Sequence, residues 1–148
     1  MTLLIIKEQE IRRLKKALTI LLVESNSRER FATQQMMEKT CLLHQLYHVE
    51  SPRELMEYLR RRGRYGDPRF SPRPDFILLN LDLSTKEVCD ALRQIQGDYR
   101  LRDIPVALFG HPRDRHAYRK YHANYSFVPK PLTCVALINL ITSVRNDL

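Results

Sequence analysis

A single doubly wound α/β domain is the fold that the sequence predicts, on three observations. Short apolar runs rich in strand formers, such as TILLV at 19–23 and PDFILLNLDL at 74–83, alternate with longer segments whose apolar residues recur at helical spacing. That alternation implies a parallel sheet covered by helices on both faces, because parallel neighbours are joined only through crossover connections. A chain of 148 residues has room for one such core and little beyond it.

The first strand, TILLV, stops at polar Glu24-Ser25-Asn26, as a buried strand does on entering a loop. Asn26 or Ser27 then caps a first helix that carries Phe31, Met36 and Met37 and ends near Lys39, and LLHQLYHV at 42–49 makes a less regular second strand. Ser51-Pro52 reads as the cap and first residue of a second helix, with Leu55, Met56 and Leu59 at helical spacing and an end near Arg62. Residues 63–74, with two glycines, three prolines and several arginines, are expected as an exposed loop within the domain. The proline-led run at 74–83 is the most apolar strand and should lie at the centre of the sheet.

Ser84 can cap a third helix with Val88, Ala91, Leu92 and Ile95 on one face. The fourth strand, IPVALF at 104–109, is broken by Gly110-His111-Pro112. A polar fourth helix from Arg113 to His122, a short fifth strand from Tyr125 to Val128 and a fifth helix over 132–144 complete the pattern, the last with Val135, Leu137, Ile138 and Ile141 available to the core.

The first 18 residues stand outside this repeat, which divides the chain into an N-terminal helix at 1–18 and the α/β domain at 19–148. Leu4, Ile11 and Leu18 recur at seven-residue intervals with Leu14 beside them, so a helix from about Leu3 to Lys16 carries an apolar stripe opposite Lys7, Arg12, Arg13 and Lys15. Three covers for that stripe stay open: the chain's own domain, a second copy, or a membrane surface.

Lys and Arg number 25 against 17 Asp and Glu, a net charge of +8 that suits an acidic or nucleic-acid partner. The basic residues are scattered and form no zinc-finger, RNP or KH signature, which makes nucleic-acid binding through Arg60, Arg61, Arg62 and Arg64 the third of the functional readings, ahead only of an enzyme. Cys41, Cys89 and Cys134 are widely spaced without a CxxC pair and read as reduced thiols, and the five histidines make no metal-ligand set. The apolar runs near the start are too short to cross a bilayer, so a cytoplasmic protein without a membrane span is expected.

TILLVESN at 19–26, PDFILLNLDL at 74–83, IPVALFG at 104–110 and FVPKPL at 127–132 resemble, in order and spacing, the four signature segments of receiver domains of two-component response regulators. The loop RRRGRYGDPRFSPRPD and the lead-in LRDIPV further resemble cyanobacterial-type single-domain regulators that partner phytochrome histidine kinases. The resemblance covers residues 19–145 or so and implies a flavodoxin-like (βα)5 sheet of strand order 2-1-3-4-5.

It also implies a site. A working receiver has an acidic pair after strand one, a phosphoacceptor Asp after strand three, a Thr or Ser after strand four and a Lys after strand five, the carboxylates and a backbone carbonyl holding Mg²⁺. Here those positions read Glu24-Ser25, Asn80, Gly110 and Lys130, with Asp82 offering mainly its backbone, so only Lys130 stands as the family requires and Glu24 is the one expected carboxylate. The Asn80 amide is a very poor nucleophile, which predicts no phosphorylation; the carboxylates lost at Ser25 and Asn80 predict no metal, and with no nucleophile-base pair, Gly-rich phosphate loop or ligand spacing in the sequence neither a cofactor nor enzymatic activity is expected.

Lys130 is expected either as retained scaffold, paired with Glu24 or Asn80, or as part of a small-anion site with Gly110. Phe127, at the family's switch-aromatic position, either fills the space that Gly110 vacates or stays mobile, and burial favours filling. Arg115, Tyr118, Arg119, Tyr121 and Tyr125, with Leu137 and Ile141, make the candidate partner face by analogy with the family. The functional expectation is a pseudo-receiver that binds a histidine kinase or another signalling protein and forms a homodimer; a small-ligand or anion sensor is the alternative, ahead of nucleic acid.

Overall fold

Alternation along the strands sorts side chains onto the two faces of one sheet. The computed structural model describes residues 17–39, 44–81, 85–119 and 125–147. Strands β1 (Leu18–Val23), β2 (His44–Val49), β3 (Phe76–Asn80), β4 (Val106–Gly110) and β5 (Tyr125–Pro129) are parallel and ordered β2-β1-β3-β4-β5, with β3 at the centre as expected. Leu21, Val23, Ile77, Leu79, Val106 and Leu108 point to one face, against helices α2 (Pro52–Leu59) and α3 (Thr85–Gly97). Ile20, Leu22, Phe76, Leu78, Ala107 and Phe109 point to the other, against Met37 of α1 (Ser27–Glu38) and Leu137 and Ile141 of α4 (Cys134–Asp147). The strand order is that of the flavodoxin-like parallel sheet expected from the sequence.

Local chemistry starts the helices where the sequence indicates. The Asn26 side chain accepts hydrogen bonds from the backbone N–H groups of Arg28 and Glu29 at 2.9 and 3.1 Å. Ser51 accepts from Glu54 N–H at 3.1 Å, the Glu54 carboxylate accepts from Glu50 N–H at 2.9 Å, and Pro52 opens α2. Thr133 accepts from Ala136 N–H at 3.1 Å and sets the start of α4. Ser84, the expected cap of α3, lies outside the described residues.

Several expectations are corrected. Leu18 belongs to no N-terminal helix: it opens β1, pairs with His44 and is buried in the core, because the apolar run gains a parallel ladder one residue earlier than the sequence suggests. Leu4, Ile11 and Leu14 lie outside the described residues. Of the segment expected as a fourth helix, Arg113 to His122, the described residues form a 3-10 turn, Pro112–Arg115, then turns at 116–118 and 3-10 geometry again at Arg119, while residues 120–122 lie outside the described residues. A helix of that length is stabilised mainly by a buried apolar stripe, and among the described residues of the segment Tyr118 alone is buried, between charged and exposed neighbours.

On α4, Leu137 and Ile141 are fully buried, which removes them from the candidate partner face, whereas Val135 and Ile138 are 67% and 38% exposed and do not join the core. Leu137 and Ile141 are spaced i, i+4 and share one stripe; at 3.6 residues per turn Val135 and Ile138 rotate away from it. The loop at 63–74 is only partly exposed. Tyr65, Ser71 and Pro74 are buried in it, and Tyr58 donates its hydroxyl to the Pro72 carbonyl at 2.8 Å.

Candidate site at the carboxyl ends of the strands

Glu24 emerges from β1 with its main chain held on both sides. Its N–H donates to the Val49 carbonyl at 3.0 Å, and its own carbonyl accepts from His48 Nε2 at 2.8 Å. The Arg30 guanidinium donates to His48 Nδ1 at 3.0 Å, so the imidazole that satisfies both contacts carries its proton on Nε2. With the backbone fixed, the Glu24 carboxyl turns inward and is 1% exposed; one oxygen accepts from Asn26 N–H at 3.3 Å.

Asn80, at the end of β3 and also 1% exposed, completes the arrangement. Its Nδ2 donates to Glu24 Oε1 at 2.6 Å and to Glu29 Oε2 at 3.1 Å. Glu29 stands in the first turn of α1, where the Asn26 cap places it, and it brings a second carboxylate to a pocket for which the sequence reading expected Glu24 alone. Burial raises the Glu24 pKa above its ordinary value; the hydrogen bond and charge of Glu29 raise it further, while the Asn26 N–H and the Asn80 amide act in the opposite direction.

The β4–β5 side is built by packing. Gly110 is the last residue of β4, and a Cβ placed on it would stand 2.9 Å from Leu81 Cβ and 3.1 Å from Leu81 Cδ1. Leu81, 5% exposed and tied by its N–H to the Phe109 carbonyl at 2.9 Å, therefore occupies the space beside Gly110. That corrects the expectation that Phe127 fills it: Phe127 is half-buried against the α2–α3 side of the core, with the Arg115 guanidinium 5.3 Å from its ring centroid. Lys130 follows β5, its N–H donating to the Gly110 carbonyl at 2.7 Å and its ammonium lying 5.4 Å from the Phe109 ring centroid.

The structure thus brings Glu24, Asn80, Gly110 and Lys130 to one end of the sheet. Ser25 is exposed, and Asp82 lies outside the described residues. A cleft of about 560 Å³ opens beside them, lined by Glu24, Glu29, Met36, Phe109, Lys130 and Leu132 among others. The described donors do not fit a divalent cation. Asn80 presents N–H groups where a third hard oxygen would be needed, and among the described residues no three His, Cys, Asp or Glu side chains converge.

Of the candidate partner face, Tyr118 and Tyr125 are buried at 2% and 5% exposure and pack into the core cluster on the α2–α3 side of the sheet. Arg115 and Arg119 are exposed, and Tyr121 lies outside the described residues. Glu29, His48 and Leu81 escaped sequence reasoning. An acidic residue in a first helical turn, three after an Asn cap, was the available signal for Glu29; the roles of His48 and Leu81 arise from pairing across the sheet and have no local signature.

No family model matches the chain. By sequence it is 32% identical over 89 residues to the response regulator Rcp1 of Synechocystis sp., a match spanning 60% of this chain and 58% of that relative, less than two thirds of its length. The bacteriophytochrome response regulator AtBRR superposes with a TM-score of 0.75 at 27% identity, covering 87% of this chain and 93% of that one. The cyanobacterial phytochrome response regulator RcpA, solved in its phosphorylated form, superposes with a TM-score of 0.68 at 27% identity over 88% and 93%. In sequence and in fold the chain is similar to response-regulator receiver domains. Among the described residues, no helix is long and apolar enough to cross a membrane.

Proposed function

We propose that this receiver is a pseudo-receiver: it takes no phosphoryl group, catalyses nothing, and acts as a protein-interaction module in signal transduction, docking on a histidine kinase or another signalling protein and pairing with a second copy of itself. One observation carries the reading. At the acceptor position, the Asn80 amide serves as a hydrogen-bond donor to two carboxylates, Glu24 and Glu29. Phosphoryl transfer to that position needs an anionic oxygen aimed outward and a cation to neutralise the incoming phosphate. Asn80 instead turns N–H toward the acids, and the pocket keeps two carboxylates that repel a phosphate.

The neighbouring positions support the same reading. Gly110 supplies no hydroxyl to hold a phosphoryl oxygen, and Leu81 occupies the space such a hydroxyl would need. Incubation of the full chain with acetyl phosphate and Mg²⁺, followed by intact mass spectrometry, should leave the mass unchanged. A stable phosphorylated species on an aspartate or at Asn80 would overturn the proposal.

The apolar-walled cleft beside Lys130 favours a second reading, in which the receiver senses a small ligand at the strand ends. A thermal-shift screen checks it: a compound whose stabilisation is lost in Met36→Ala supports ligand sensing, and a screen without stabilisers leaves the protein-interaction reading.

A further inference from the structure

The charge of the chain is unevenly satisfied. Arg53, Arg64, Arg69 and Arg93 each pair with a carboxylate, and Arg60 and Arg61 donate to Gln94 and to the Ser71 carbonyl. These contacts draw most of the arginine-rich segment at 60–64 into the domain's own structure and weaken it as a nucleic-acid surface. The turn after β4 is different. Arg113, Arg115, His116 and Arg119 are all exposed and, with Pro112, line one concavity of about 380 Å³.

Among the described residues, none of these three arginines has a carboxylate within ion-pair distance, and Asp114 is the one acid on the turn. On the 3-10 turn Arg113 eclipses His116, three residues on, and the turns that follow bring Arg119 to the same concavity. Like charges so placed repel one another, a cost that an anion bridging them removes. Planar guanidinium groups are suited to bidentate binding of phosphate oxygens.

We propose that this concavity is an anion site for a phosphate or pyrophosphate group, held by Arg113, Arg115 and Arg119. Its position gives the site a consequence. Arg115 also lies over the Phe127 ring, so an anion that engages Arg115 draws it against its contact with the aromatic residue that packs on the core. The site is distinct from the Glu24–Asn80 pocket and stands whether or not Asn80 takes a phosphoryl group.

Isothermal titration of the full chain at constant ionic strength provides the test, with inorganic pyrophosphate in one arm and a phosphoserine peptide in the other. Saturable binding is expected in at least one arm: pyrophosphate alone points to a free phosphate ligand, the peptide alone to a phosphorylated protein. The double variant R113Q/R119Q, at exposed positions and checked for an unchanged circular dichroism spectrum, should weaken binding about tenfold or more. The variant R28Q/R102Q, at exposed arginines elsewhere, should not change it. No binding in either arm overturns the proposal, as does equal loss in R28Q/R102Q, or loss in Lys130→Gln while R113Q/R119Q binds normally.

Discussion

On the β1–β3 side of the site, Asn80 reaches between Glu24 and Glu29 and a polar network stands; on the β4–β5 side, Gly110 carries no hydroxyl and Leu81 lies flush against it. The first side differs from a working receiver in polar groups, Ser25 and the Asn80 NH₂ standing where carboxylate oxygens belong and Glu29 bringing a second acid. The second differs in volume. A changed functional group can be reversed by one substitution, whereas a filled space resists reversal because close-packed neighbours must move.

The largest expected effect tests the first half. Asn80→Asp replaces a donor by a third carboxylate within hydrogen-bond distance of two others, and should lower stability by about 3 kcal/mol or more at neutral pH without divalent cations. Mg²⁺ should restore much of the loss, because three carboxylates then converge. Thermal melts with and without Mg²⁺ measure both, and a variant as stable as the parent in EDTA would break the account of the polar half.

Next in size, Gly110→Thr should cost about 1–3 kcal/mol by overpacking against Leu81, read as a shifted urea midpoint. Pairing it with Leu81→Ala should recover part of that loss. If Gly110→Thr is neutral, the two halves do not differ as described.

A smaller effect follows from Glu24. Its folded-state pKa is raised, chiefly by burial, so the folded state binds this proton more tightly than the unfolded chain does. The stability it contributes is fully present below the ordinary carboxylate pKa of 4.5 and is lost as pH rises through the raised value. Glu24→Gln should flatten stability over that window, and a pH series of denaturation midpoints checks the slope. Smallest of all, Arg115→Ala removes a cation from the Phe127 ring and should cost no more than about 1 kcal/mol.

Legibility in the sequence followed the same division between pattern and volume. The run FILLN is buried throughout, and its apolar character marked β3 as the central strand. The α2 and α3 residues Leu55, Met56, Val88, Ala91, Leu92 and Ile95 reach the core as their spacing indicates. Helix α4 was misread because Val135, Leu137, Ile138 and Ile141 are all apolar, and pattern alone does not say which of two stripes meets the sheet. At the site, the identity of Asn80 and Gly110 was readable, but the direction of the amide, the arrival of Glu29 and the approach of Leu81 depend on how separate segments meet in space.

The central claim is that an amide committed to Glu24 and Glu29 makes the acceptor position inert. Phosphotransfer from an autophosphorylated partner histidine kinase, run side by side on the native chain and Asn80→Asp, tests it most directly. The account predicts no label on the native chain at any time point, even where the kinase binds it. Label that accumulates on the native chain and maps to the end of β3 would contradict it.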